Sequence, residues 1–265
     1  MSWLEISVLI VSGVLVGFIN TLAGGGSIIS LSILIFFGLP ATVANGTNRI
    51  AITLQTLIAT GSFKQQKVLD HKKGLLLAIP AVVGSILGAK IAADINEIVF
   101  EKAIAVIIIV MLIFILYKPQ RWLKGKEELI NKKINVWQVL LFFFIGVYGG
   151  FIHVGVGYLL LGGIVLGAGY DLVKANAIKV LIVLLYAPFT LIIFILNDQV
   201  NYKLGFTLAI GNIIGAFVAS RMAVSWGANF VKWIMVIIVI FTSAHLFGII
   251  DVKEMISTLL QKEVN

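Results

Sequence analysis

Residues 13–49 read GVLVGFINTLAGGGSIISLSILIFFGLPATVANGTNR, and residues 146–179 repeat that pattern in faded form. An apolar run enters the stretch and breaks at Gly24, Gly25 and Gly26. It restarts at Ser27, stops at Gly38 to Pro40, and leads into a run carrying Asn45, Thr47, Asn48 and Arg49. Each glycine costs about 1 kcal/mol against alanine inside a helix. Three in a row within hydrophobic sequence predict unwound backbone whose N–H and C=O groups find partners other than lipid. With Asn20, Thr21, Ser27, Asn48 and Arg49 close by, the break is expected to line a cavity.

Working outward, hydrophobic residues make up 60% of the 265-residue chain and charged residues 12%. A soluble domain carries roughly 25% charged residues. Apolar runs of about 20 residues suit the hydrocarbon core of a bilayer, and the alternating pattern of a membrane β-barrel is missing. The expected fold is therefore all-α and polytopic, with the lipid bilayer as a partner. The absence of cysteine excludes disulfides, thiol catalysis and cysteine-ligated metal. The N-terminus, MSWLEISVLIVSGVLVGF, has no basic flank and no small-residue cleavage site, so it reads as a retained membrane segment. A net charge of +8 could signal nucleic acid, but Lys64, Lys67, Lys72 and Lys73 lie in one short loop and Lys118, Arg121, Lys124, Lys126, Lys132 and Lys133 in another. That clustering is what cytoplasmic loops of a membrane protein carry, and no nucleic-acid partner is expected.

Apolar segments fall at 4–22, 27–37, 43–63, 74–93 and 98–117. The second is only about 16 Å long as a helix, so 4–37 is either a re-entrant hairpin or a pair of crossings. A basic linker, 118–135, separates a first repeat, 1–117, from a second, 136–265. Gly13, Gly17, Asn20 and Gly24 match Gly146, Gly150, His153 and Gly157 at an offset of 133. At an offset of 131, Gly38 matches Gly169, Asn45 matches Asn176, Asn48 matches Lys179, Gly74 matches Gly205, Gly84 matches Gly215 and Lys90 matches Arg221. These coincidences point to an internal duplication. The lysine-rich loop 64–73 corresponds to 195–204, which keeps a single lysine. Opposite-facing loops explain that loss, so the repeats are expected to be inverted, with broken segments at their interface. Both termini then lie on the non-cytoplasmic side of a multi-pass protein of the cytoplasmic membrane.

Arg49 stands inside an apolar run, where a charge costs about 2.5 kcal/mol or more. Snorkelling or a hydrogen bond to broken backbone would explain it, and so would attraction of an anion near helix N-termini. Lys179, at the matching depth, favours the anion. Asn45, Asn48 and Arg49 share a helix face at i, i+3 and i+4, and Asn176 and Lys179 repeat the pairing. His153 replaces Asn20 in the second copy. It is a packing group or, if protons are the coupling ion, their relay. Lys90 and Arg221 near segment ends read as snorkelling, Phe142, Phe143 and Phe144 as lipid-facing or packing, and Gly84 with Gly88 as a helix-packing pair. The membrane segments hold no carboxylate pair, HExxH or Ser/His/Asp set. No enzyme activity and no cofactor are expected.

LAGGGSIISLSILIFFGLPATVANGTNR and YGGFIHVGVGYLLLGGIVLGAGYDLVKANAIKVL resemble the TauE/SafE sulfite-exporter family, also called the toluene-sulfonate uptake permease family. The resemblance covers residues 3 to about 250. It implies an inner-membrane secondary transporter of sulfite, sulfonates or related small sulfur-containing anions. Its site would be drawn from Gly24, Gly25, Gly26, Ser27, Asn45, Thr47, Asn48 and Arg49, with Gly157, Asn176 and Lys179 from the second repeat. His153 departs from the small residue frequent there. An anion channel and a non-transporting membrane scaffold are the alternative readings, and a homo-oligomer is left open.

Overall fold

The computed structural model describes residues 1–103, 106, 125–130 and 132–246. The expected segment 98–117, beyond its first turns, lies outside the described residues, as do most of the 118–135 linker and the tail after 246. All regular structure among the described residues is helical. In chain order it comprises α1 (Trp3–Leu22), α2 (Ser27–Phe36), α3 (Ala41–Gln65), α4 (His71–Asp94), one turn at Glu127–Ile130, α5 (Val136–Phe151), α6 (Val156–Gly162) running on through a π turn (Gly163–Gly167), α7 (Leu172–Leu196) and α8 (Tyr202–Leu246), bent at Gly227.

The helix starts follow from short polar signals. Ser2 and Glu5 form a reciprocal capping box at α1, and Asn135 and Gln138 form its counterpart at α5, again 133 residues on. Asp70 accepts from the Lys73 N–H at α4 (3.0 Å), and Asp171 accepts from the Val173 and Lys174 N–H groups at α7. α3 follows Pro40 and is capped from a distance. The Glu97 carboxylate accepts from the Ala41 and Thr42 backbone N–H groups and from the Thr42 hydroxyl, placing negative charge at the positive helix end.

Four stretches among the described residues are long and apolar enough to cross a membrane: α1, α4, α7 and residues Tyr202–Val231 of α8. With α3, a 25-residue helix whose interior is too polar to count among them, they make a polytopic membrane protein. The outer faces stay apolar in the open, as at Val11 and Leu15 on α1, Ile79 and Val83 on α4, and Phe206, Ile210 and Ile214 on α8. Such a girdle suits lipid. α2 is ten residues long, about 15 Å, and cannot cross alone. Gly26, just ahead of it, lies back against Val16 and Ile19 of α1, so the chain doubles back at the glycine break.

The interior belongs to α3 and α7. Residues 44–52 and 175–183 are buried on every side, the mark of a helix at the centre of a bundle. α3 lies parallel to α8 along a polar seam. The Asn201 N–H donates to the Thr47 hydroxyl (2.9 Å), the Asn212 and Gln55 amides meet at 2.8 Å, the Ser220 hydroxyl donates to that of Ser62 (2.7 Å), and Arg221 donates to Gln65 (3.0 Å). Arg221, expected to snorkel, holds this seam's end and lies over the Phe217 ring. α1 packs on α8 and α5 on α4 through small residues that leave no room for a Cβ. Gly211 and Gly215 sit on Ile10, Val14 and Phe18, and Gly84 and Gly88 on Phe143, Val147 and Phe151. Each outer pair therefore joins one helix from either side of the linker. Of the three phenylalanines in the aromatic run, Phe142 is buried and Phe144 exposed.

Candidate functional site

The unwound segment after α1 meets the start of α6 at the centre. Gly24 has a φ of +92°, and a Cβ there would collide with the Gly157 backbone, just as one on Gly157 would collide with Gly24. Both positions need glycine for room, and Gly24 for its backbone angle as well. The breaks end α1 and α5 inside protein, where the last carbonyls of each helix lack intrahelical donors.

The two buried cations supply those donors, each to a helix on the other side of the linker. Arg49 of α3 donates to the carbonyls of Gly149 (2.7 Å) and Gly150 (2.9 Å) in the last turn of α5. Asn45, one turn before, donates to the Phe151 carbonyl (2.9 Å) and accepts from Arg49 (3.4 Å). Lys179 of α7 donates to the carbonyls of Asn20 (3.0 Å) and Thr21 (2.8 Å) in the last turn of α1, and to Asn176 Oδ1 (2.7 Å). A cation at a helix C-terminus meets only about half an opposite elementary charge. Among the described residues neither head has a carboxylate partner. The ion pairs among the described residues are Met1 N-terminus with Glu5 and Lys174 with Asp171, both away from the centre. Positive charge is thus held in the core and only partly compensated.

The donors left over differ. All three N–H bonds of the Lys179 ammonium are spent on protein, whereas Arg49 keeps an unpartnered Nε–H. The guanidinium also lies over the Phe194 ring, 5.6 Å from its centroid. His153 Nδ1 stands 3.5 Å from Arg49 and 3.0 Å from the Tyr186 hydroxyl. A guanidinium can only donate, so Nδ1 accepts and the ring proton sits on Nε2.

The structure brings most of the expected residues into two adjoining clusters. Arg49, Asn45 and His153 gather round the end of α5. Lys179, Asn176 and Asn20 gather round the end of α1, with the Asn20 amide donating to Ser27 (3.2 Å) across the break of Gly24, Gly25 and Gly26, which touches Gly157. Asn48 is buried with an unpartnered side-chain oxygen. Thr47 is not brought in, since its hydroxyl is spent on Asn201. Tyr158, Tyr186 and Phe194 were missed. Tyr158 leaves one signal in sequence, standing opposite Gly25 directly after the matched pair Gly24 and Gly157.

Away from the core, the loop before α4 meets the loop before α7. The Tyr170 hydroxyl donates to Asp70 (2.5 Å), and Lys73 donates to the carbonyls of Ile130 (3.2 Å) and Lys132 (2.6 Å). Burial works against ionisation of Asp70. The hydrogen bonds from Tyr170 and from the Lys73 and Lys72 backbone, with the Lys73 charge, outweigh it and hold the carboxyl below its ordinary value of 3.8. The Tyr170 phenol is pushed up, first by burial and then by that carboxylate.

The family model of the sulfite exporter TauE/SafE matches residues 9–246. Among similar proteins, a "Probable membrane transporter protein" of Haemophilus influenzae is 25% identical over 88% of this chain and 90% of its own. "Probable membrane transporter protein ORF9" of a Sinorhizobium species is 26% identical over 91% of each chain. "Probable membrane transporter protein YfcA" of Escherichia coli K12 is 26% identical over 92% of this chain and 90% of its own. No solved structure matches the chain.

Proposed function

The chain belongs to the sulfite exporter TauE/SafE family and is a membrane transporter, and on that premise we propose that it carries a small sulfur-containing anion, sulfite or a sulfonate, by alternating access. One observation carries the reading. Two buried cations, Arg49 and Lys179, stand where the broken segments cross, held by carbonyls and amides with no carboxylate beside them. A full positive charge set against helix dipoles of about half a unit leaves a field that an anion completes.

Arg49 supplies charge and a free Nε–H, and Lys179 supplies charge. The Ile28 and Ile29 N–H groups turn back onto the Gly25 and Gly26 carbonyls (3.4 and 3.0 Å), so of the N–H groups that open α2 it is that of Ser27 that orients an oxyanion. Inverted repeats fit the crosswise arrangement, in which α3 caps α5 and α7 caps α1. Access would alternate as the bodies built around α1 with α8 and α4 with α5 rock about the crossing. The sequence carries no P-loop ATP-binding motif, so a gradient supplies the drive. A proton passing through His153 has only the Nε2 side of the ring to use, because Nδ1 faces Arg49 and Tyr186.

Proteoliposomes holding the purified protein test the proposal. Saturable uptake of radiolabelled sulfite with counterflow is expected, and Arg49→Met abolishes it. Unitary conductance without counterflow means a channel. Absence of any sulfite or sulfonate flux sinks the substrate assignment.

A further inference from the structure

The two breaks are furnished differently. At the offset that matches Gly24 with Gly157, Gly25 falls opposite Tyr158. The Tyr158 side chain fills the space that Gly25 leaves: a Cβ on Gly25 would stand 2.7 Å from the hydroxyl and 2.8 Å from the ring edge. Tyr158 is 3% exposed, and its hydroxyl has no hydrogen-bond partner. That oxygen is aimed at the unwound segment ahead of α2, a ten-residue helix whose N-cap, Gly26, offers no side-chain cap.

Two further buried donor atoms beside this break lack acceptors, Thr21 Oγ1 and Asn176 Nδ2. Thr21 and Asn176 both belong to the group around Lys179, whose own N–H bonds are all spent. The Asn20 to Ser27 hydrogen bond ties that group to the start of α2. Asn20 Oδ1 beside them is an unmet acceptor, so three unmet donors stand against one unmet acceptor; an unmet buried donor costs about 1–3 kcal/mol, and the surplus marks a place where something else supplies the acceptors.

We propose that Tyr158, Thr21 and Asn176 form a neutral donor subsite for the SO3-type headgroup of the transported anion, with Lys179 as the charge behind it rather than a direct ligand. This rests on the transport reading above and narrows its substrate class. The headgroup is anionic and rich in acceptors. A substrate with an ammonium group is refused, because the acidic residues among the described ones lie at helix ends and in connections, away from the two buried cations. Isethionate and taurine, which differ by hydroxyl against ammonium on the same two-carbon sulfonate, separate the cases.

The full chain, purified in detergent, is titrated with sulfite, isethionate and taurine while its thermal unfolding is followed. Wild type is stabilised by sulfite and isethionate and not by taurine. Tyr158→Phe keeps the ring over Gly25 and discards a hydroxyl that had no partner, so without ligand it unfolds at the wild-type temperature or above. It binds sulfite and isethionate roughly ten- to a hundred-fold more weakly, the loss of a hydrogen bond to a charged group. Thr21→Val, of the same shape, weakens binding in the same direction. Unchanged affinity in Tyr158→Phe overturns the subsite, as does taurine binding as tightly as isethionate. A lowered unfolding temperature with unchanged affinity assigns Tyr158 to packing alone and also overturns it. If wild type responds to neither sulfite nor isethionate, the transport reading falls and takes the subsite with it.

Discussion

Where α1 packs on α8, Ile10, Val14 and Phe18 face Gly211 and Gly215; where α5 packs on α4, Phe143, Val147 and Phe151 face Gly84 and Gly88. The first three residues become the second three by adding 133. The glycines under them are related by 127, although the rest of α4 and α8 keeps to 131. Gly74 faces Ile178 and Leu181, and Gly205 faces Thr47 and Ile50, in agreement with 131. Hence α1 sits on α8 four residues out of step with α5 on α4, about 6 Å along the helix. The same displacement shows at the caps. Lys179 holds the carbonyls of residues 20 and 21, while Arg49 holds those of 149 and 150, which correspond to 16 and 17. α1 also stays wound to Leu22, whereas α5 stops at Phe151. The inner contacts therefore keep the spacing of the sequence match and the outer joints depart from it by one turn.

The strongest way to break this comparison is to remove one cap. Arg49→Met leaves the Gly149 and Gly150 carbonyls and the Asn45 oxygen without their donor, at about 1–3 kcal/mol each. The expected result is a loss of about 3–6 kcal/mol in unfolding free energy in detergent, with sulfite flux abolished. Next comes the crossing. Gly24→Ala adds left-handed strain of about 1–2 kcal/mol to overpacking of about 1–3 kcal/mol against Gly157, and should show as a steep fall in monodisperse protein on size exclusion. Gly38→Ala sharpens that result, because Gly38 has a φ of +86° and nothing within 4 Å of a Cβ. Only the strain of about 1–2 kcal/mol is expected in the melting curve, and a loss equal to that of Gly24→Ala would refute the collision at the crossing.

The smallest effect lies at the loop contact. The folded pKa of Asp70 is depressed, so the stability it supplies is complete above the ordinary value of 3.8 and is lost as pH falls from there through the lower folded value. Tyr170→Phe removes the hydrogen bond, costs about 0.5–1.5 kcal/mol near neutrality, and moves Asp70 back up toward 3.8. The difference between variant and wild type in a melting series should therefore shrink as the solution is acidified, and a constant difference would contradict the assignment.

Much of this was legible in the chain. The glycine break, the short α2, the stop at Gly38 and the two cations at matched depth follow from helix propensity and the cost of charge in lipid. Each reads from neighbours a few residues apart. What those cations hold was not legible, because the partners of Arg49 lie 100 and 101 positions away and those of Lys179 lie 158 and 159. Periodicity is silent about such distances. Matching the repeats to one another also hid what makes them unlike. Tyr158 was passed over because it matches nothing, and the one-turn displacement is invisible to an alignment in which Gly84 and Gly215 pair so well. Thr47 sat on the favoured stretch, yet its direction was decided by the Asn201 N–H from the α7–α8 connection.

The contact between Gly24 and Gly157 has a mechanical corollary. Main chain rests on main chain there, with no side chain to swing aside, so in the transport cycle proposed above the point of touch would work as a fulcrum for the two bodies it joins. Tilting about it would widen the gap toward one face of the membrane while narrowing it toward the other, as a seesaw does. A solute lodged beside that fulcrum would travel almost no distance of its own; the openings would change places around it.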